Sequence, residues 1–338
     1  MTFERNRLRT TLDGLGEGVI SVNLHGQIMQ YNPSSIILLG GKEGDALETL
    51  PLFQTLGQRV DEVLRTGTSK TIEQKIKDAV IRVTVSPLYD GAGQVEGAVL
   101  LAQDVTESVR LEQTRKDYVA NVSHELRTPL ASIRSLSDAL SDGLVKKEED
   151  RMRYYGYIQK ESMRLSRLID DLLELSRLQS GAVALTQQRM HIEETIYDVA
   201  QRYQNAAEER GLSIHIDVPS LLPKVYGNLD RTEQVLIILL DNAIKHAQVE
   251  APIEIKVQVE ETRVLVRVSN AGRIAEEDLA HLFERFYKAD HSHSGEGTGL
   301  GLSIAKEIMD LLHEKIWVES REGRVEFVFT LKRNAEQV

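Results

Sequence analysis

Two stretches of this chain, Glu107 to Leu140 and Lys147 to Ser180, repeat apolar residues at steps of three and four along most of their length. That pattern limits what everything around them can fold into. In the first, Val119, Val122, Leu126, Pro129 or Leu130, Ile133, Leu136 and Leu140 fall on one narrow stripe. In the second, Ile158, Leu165, Leu168, Leu172, Leu175 and Leu178 do the same. At about 1.5 Å per residue the first helix alone is roughly 50 Å long. Gly143 lies in the connection, and Gly181 follows the second stretch as a C-cap. Two long amphipathic helices with a short turn make a hairpin. One hairpin cannot bury its seam, whereas two can as a four-helix bundle, so the pattern predicts a homodimer.

The flanks read differently. Before the hairpin, GVISVNLHGQIMQYN gives two strands around a His25-Gly26 turn. AVIRVTVSPLYD and QVEGAVLLAQDV give two more around Asp90 to Gly93, with short helical pieces between the pairs. Asp104 or Thr106 is positioned to cap the first long helix. After the hairpin, helices over Ile192 to Arg210, Asp230 to Ala247, Ala275 to Phe286 and Leu300 to Leu312 alternate with strands. IEIKVQV and RVLVRVS form a hairpin there, and KIWVES and EFVFTL follow near the end. Mixed elements of this kind predict a two-layer α/β sandwich. The whole reads as an α+β multidomain chain of three parts: residues 1–106, 107–182 and 183–338.

The chain has 338 residues, enough for two or three domains. With no cysteine it has no disulfide, thiolate metal site or cysteine nucleophile. A formal charge of -11 argues against a nucleic acid partner, which needs a basic footprint. The densest apolar run, Val235 to Leu240, is far short of the roughly 20 residues that span a bilayer. The expectation is a cytoplasmic location, with membrane attachment only through a segment preceding Met1.

Three polar constellations stand out. In NVSHELRTPLASI, His124 lies off the apolar stripe and faces solvent, as many inert surface histidines do. Its neighbours make it more than that. Glu125 can take a proton from the imidazole, and Thr128 places a hydroxyl one turn below. Pro129 removes the N–H that the carbonyl of residue 125 needs, which predicts a bend. In GEGTGLGLSI, alternate glycines lead into an apolar helix. This is a flexible cap or an anion cradle, because glycine lets the backbone approach and a helix start offers free N–H groups. The preceding KADHSHSGEG suits a lid. In DNAIKHA, Asn242, Lys245 and His246 share one side of a helix. An amide oxygen can bind magnesium and a lysine can pair with phosphate.

SHELRTPL, LLDNAIKH, FERFYK and GTGLGLSI, in that order between Asp117 and Leu331, resemble the motifs of a sensor histidine kinase of the two-component type. The first hundred residues resemble a PAS sensor domain through their strand pattern and the closing DVTE. The likeness is to the cytoplasmic portion of a phosphate- or cell-wall-sensing kinase. It implies a PAS domain, a dimerisation and histidine-phosphotransfer hairpin, and an ATP-binding sandwich of the kind found in gyrase and certain chaperones. It further implies ATP and Mg2+ as cofactors. Asn242 would hold the metal, with Lys245 and His246 beside it, and the amides around Gly297, Thr298, Gly299, Leu300 and Gly301 would hold phosphates. Asn270 and Gly272 would meet adenine, and Phe283, Arg285 and Phe286 would brace the lid. By the same resemblance His124 is the phosphoacceptor, Glu125 the base, and Thr128 the residue that orients water when a response regulator is dephosphorylated.

The sequence departs from the family pattern at three places. Asn270 stands where an aspartate usually recognises adenine, in a shortened VSNAGRIAEED. Ile238 stands where asparagine is frequent, and Arg324 where glycine is. Losing the charged acceptor at residue 270 predicts weaker ATP binding, on the order of 1 kcal/mol. The competing readings are a degenerate kinase acting mainly as a regulator phosphatase, a gyrase-like ATPase with no phosphohistidine, and a ligand-binding PAS scaffold. The turn position of His25 argues against haem in the last.

Overall fold

The computed structural model describes residues 14, 16–40, 42, 47–180, 186–248, 251–289 and 297–334. The chain separates into two compact units, Met1–Val119 and Ala120–Val338. The division falls inside one long helix.

In the first unit β1 (Gly18–Asn23), β2 (Ile28–Tyr31), β3 (Lys70–Ile76), β4 (Ala79–Tyr89) and β5 (Val95–Asp104) form a sheet of order β2-β1-β5-β4-β3. Every pairing is antiparallel. Alternation drives it: Ile20 and Val22 on β1, and Ile81, Val83 and Val85 on β4, all point into the core. Helix α1 (Pro33–Leu38) and helix α2 (Pro51–Thr66) cover that face, the latter with Leu56, Val60 and Val63. Asn32 is buried and satisfied. Its Oδ1 accepts from Val19 N and Ser35 N, and its Nδ2 donates to Glu17 O at 2.8 Å. The sequence reading missed β3. KTIEQKI is an edge strand with little buried surface, so it carries no strong apolar alternation.

Helix α3 (Thr106–Ser141) starts where expected. Asp104 Oδ1 accepts the Thr106 N–H at 2.9 Å, and the Thr106 hydroxyl in turn accepts Val80 N–H at 2.8 Å. The Thr106 contacts hold the Asp104 carboxyl below the usual carboxylate range. The helix runs on through Pro129, which is buried, while Leu130 is 59% exposed. Pro129 therefore takes the seam position. Gly143 turns the chain with a φ of 67°, and α4 (Glu148–Gln179) follows. The expected cap at Gly181 lies outside the described residues.

The rest is the two-layer sandwich. Strands β6 (Gln188–Met190), β7 (Ile214–Asp217), β8 (Val225–Gly227), β9 (Ile253–Val259), β10 (Arg263–Ala271), β11 (Ile316–Arg321) and β12 (Arg324–Arg333) form a seven-stranded sheet. Its order is β6-β8-β12-β10-β9-β7, with β11 on β12. β9 and β10 are the expected hairpin, with Val264 opposite Val259, whereas β7 joins β9 in parallel. Helices α5 (Ile192–Glu208) and α6 (Leu229–His246) pack together on this unit. The run Val235–Leu240 supplies four core residues, Val235, Leu236, Leu239 and Leu240. The predicted helix over Ala275 to Phe286 is instead a single turn, α7 (Glu276–Leu279). Beyond it the chain is held by another loop, as described below. Helix α8 (Gly301–Leu311) closes the layer and packs against α4 and α6. Among the described residues, no helix is long and apolar enough to cross a membrane.

Candidate phosphoacceptor and nucleotide site

On α3, His124 is exposed, as its position off the stripe requires. Glu125 is half-buried because two cations lean on it. Arg164 of α4 lies 3.6 Å from Glu125 Oε2, and Lys288 lies 3.3 Å from the same oxygen. The Thr128 hydroxyl donates to the His124 carbonyl at 3.2 Å, so here it serves the backbone. In this geometry it ties down the turn carrying His124 and Glu125.

The glycine loop is fastened to the FERFYK segment. Phe286 N–H donates to Gly299 O at 2.8 Å. A Cβ on Gly299 would lie 2.9 Å from the Phe286 Cα, and Gly299 has a φ of 72°. Only glycine fits there. Phe286 itself has a φ of 63°, a conformation incompatible with continuing the helix that the sequence suggested. Tyr287 donates to Asp278 Oδ1 at 2.6 Å, and that bond pushes the phenol up to about 12, with burial adding to it. Phe283 packs edge-on against Phe327 at 6.3 Å. Arg285 is half-buried beside them. Leu300 is buried, Gly301 opens α8, and the Ile238 side chain passes 3.4 Å from where a Gly301 Cβ would be. Gly297 has a φ of 134°. Of the predicted lid, KADHSHSGEG over 288–297, residues 290–296 lie outside the described residues.

Asn242 is half-buried on α6, His246 is exposed, and Lys245 forms an ion pair with Asp241 on its own helix. Asn270 is 3% exposed, and its Nδ2 donates to Ala271 O at 3.0 Å. That bond uses one of the two protons of the side-chain NH₂ group. Gly272 N–H donates to Gly323 O at 2.9 Å, which joins the residue 270 segment to the β11–β12 turn. Arg324 reaches across the sheet to Ser269 Oγ at 3.0 Å and to Glu254 Oε2 at 3.0 Å. It staples β9, β10 and β12 together.

The two constellations meet. Besides Lys288 on Glu125, Thr298 Oγ1 donates to Asp171 Oδ2 of α4 at 2.7 Å, and Gln179 Nε2 lies 3.3 Å from Glu307 of α8. Arg231 of α6 pairs with Glu174 of α4. Lys288, Arg164 and Asp171 were not among the residues singled out from sequence. Lys288 had a local signal, a cation directly after the aromatic brace. The other two had none.

Residues 227–335 match the family described as histidine kinase-, DNA gyrase B-, and HSP90-like ATPase. Residues 114–181 match the His Kinase A (phospho-acceptor) domain, and residues 12–110 the PAS fold. The chain is 31% identical to the sensor histidine kinase WalK of Bacillus subtilis (strain 168) over 350 residues, covering 99% of this chain and 56% of that protein. Along its length the chain is similar to the sensor histidine kinases, with a PAS fold, a phospho-acceptor domain and an ATPase domain in that order. WalK of Staphylococcus haemolyticus (strain JCSC1435) is 29% identical over 337 residues, or 96% of this chain and 55% of that protein. The chain thus spans little more than half the length of the curated relatives it matches. Among solved structures, histidine kinase ThkA in complex with the response regulator protein TrrA gives a TM-score of 0.56 at 25% identity, over 97% of this chain and 99% of that one. Histidine kinase AdeS of Acinetobacter baumannii gives 0.52 at 25%, over 62% and 98%.

Proposed function

We propose that this chain is an ATP-dependent protein-histidine kinase that phosphorylates itself on His124, passes the phosphoryl group to an aspartate of a response regulator, and dephosphorylates that regulator. The observation that carries the reading is the pairing of an exposed His124 with a half-buried Glu125. A lysine from the segment bracing the glycine loop reaches that carboxylate. A base next to the nucleophile and a contact linking it to the phosphate-binding loop are what this chemistry needs.

ATP supplies the phosphoryl group. Asn270 offers Oδ1 to the adenine amine. The loop of Gly297, Thr298, Gly299, Leu300 and Gly301, opening a helix, offers N–H groups to phosphates, and Lys245 offers charge. The close fit of Gly299 under Phe286 supports a built cradle. Magnesium needs few protein ligands because it keeps waters and phosphate oxygens, so the single amide oxygen of Asn242 suffices. Phe283, Arg285 and Phe286 hold the loop in place. His124 presents a ring nitrogen to the transferred group while Glu125 takes the proton from the other side of the imidazole. Thr128 serves the reverse traffic by orienting a water toward the regulator's phosphoaspartate.

The partner reading follows ThkA, whose solved complex contains a response regulator. The domain reading is a PAS domain over 1–106, the phosphotransfer hairpin over 107–182 and the catalytic domain over 183–338, in a homodimer. Incubating the chain with labelled Mg–ATP tests the whole. Label that is stable to base, labile to acid and absent in His124→Ala is the expected result. Equal labelling of His124→Ala, or no label at millimolar ATP, overturns it.

A further inference from the structure

Thr298 sits in the loop assigned to phosphates, yet its hydroxyl proton goes to a carboxylate. Oγ1 donates to Asp171 Oδ2 at 2.7 Å, while the same oxygen faces the Leu300 N–H at 3.3 Å. Asp171 belongs to α4, not to the sandwich. Lys245, the other phosphate candidate, is close enough to act on the same carboxylate through space. Burial pushes the Asp171 carboxyl up, and the Thr298 hydroxyl pulls it back down. A carboxylate that takes the Thr298 proton and lies in the field of Lys245 draws on two of the groups assigned to a nucleotide phosphate.

We propose that Asp171 stands in for a phosphate oxygen, so that docking of the hairpin on the loop and binding of nucleotide compete for Thr298 and Lys245. The inference rests on the assignment of those two residues to ATP. In the same docked state Lys288 occupies Glu125, so the base beside His124 is held together with the loop. Coupling of this kind is reciprocal. Nucleotide loosens α4 from the loop, and anything that tightens α4 against the loop weakens nucleotide.

The test is calorimetric binding of Mg and a non-hydrolysable ATP analogue to the full chain, for wild type, Asp171→Asn and Asp171→Glu. Asparagine keeps an acceptor for Thr298 but removes the charge that a phosphate must displace. It should bind the analogue roughly fivefold to tenfold more tightly, within the usual span of coupling between sites. Asp171→Glu keeps the charge and should stay within about twofold of wild type by the same reasoning. Binding by folded Asp171→Asn that is unchanged or weaker overturns the proposal. Equal tightening by both variants overturns it too, because charge is then not the cause. If Asp171→Asn does not fold, Asp171→Ser carries the same expectation. A wild type that binds no analogue at millimolar concentration would instead overturn the kinase reading, a result distinct from either of these.

Discussion

At the scale of single residues, Asp171 carries a pH signature. Its folded carboxyl lies above the ordinary value of about 3.9. Burial is the larger cause, and the Thr298 hydroxyl opposes it. A nucleotide that takes Thr298 and releases α4 exposes the carboxylate to water, so the carboxyl should fall toward its ordinary value when Mg and the ATP analogue bind. Titration of the Asp171 carboxyl by NMR with and without the analogue would show it, and a carboxyl that stays raised in the complex would contradict the competition. The same residue shows where sequence reading stops. His124, Asn242 and the glycine loop announce themselves through neighbours in the chain. Asp171 meets Thr298 across 127 positions, and nothing adjacent to either residue signals the contact.

Among elements, those set by a period were legible. The hairpin helices, the core helix α6 and the β9–β10 pair all repeat one spacing long enough to be read. Elements set by a distant staple were not. FERFYK has helical composition, but the Phe286–Gly299 bond and the Tyr287–Asp278 bond hold it as a turn. Pro129 poses the opposite case, a breaker that does not break. Helix α3 encloses it, and burial of its ring on the seam compensates for the missing N–H at the Glu125 carbonyl. The turn carrying His124 and Glu125 is thus one backbone bond short. Pro129→Ala restores the donor at a helix position where proline costs about 3 kcal/mol, less what the buried ring contributed. The expected result is slower amide exchange over residues 125 to 130, with the ends of α3 unchanged. Exchange that stays as fast as in wild type would mean that the proline leaves no local weakness.

At the scale of the whole molecule, the predicted dimer can be argued from what one copy leaves uncovered. Helix α4 buries Leu168, Leu175 and Leu178 within this chain, and it packs against α8. Met152, Tyr155, Met163, Ile169 and Leu173 fall together on another side of the helix and stay exposed, Leu173 at 53%. The sequence reading gave α4 one seam of six residues. The structure divides its apolar residues between contacts made inside the chain and an open stripe, because a helix in a bundle has neighbours on more than one side. A row of exposed large side chains along several turns is what a second copy would bury. Leu173 ends that row, on the side of α4 opposite the one that carries Asp171. Replacing it with glutamate places a charge in the shared core while leaving the fold within one chain its own buried contacts. Equilibrium sedimentation should give twice the chain's mass for wild type and the mass of one chain for Leu173→Glu, with the helical signal retained. A dimer of unchanged strength in the variant would move the shared surface elsewhere. A wild type that is already monomeric would leave the stripe without its second copy and end the four-helix reading of the hairpin.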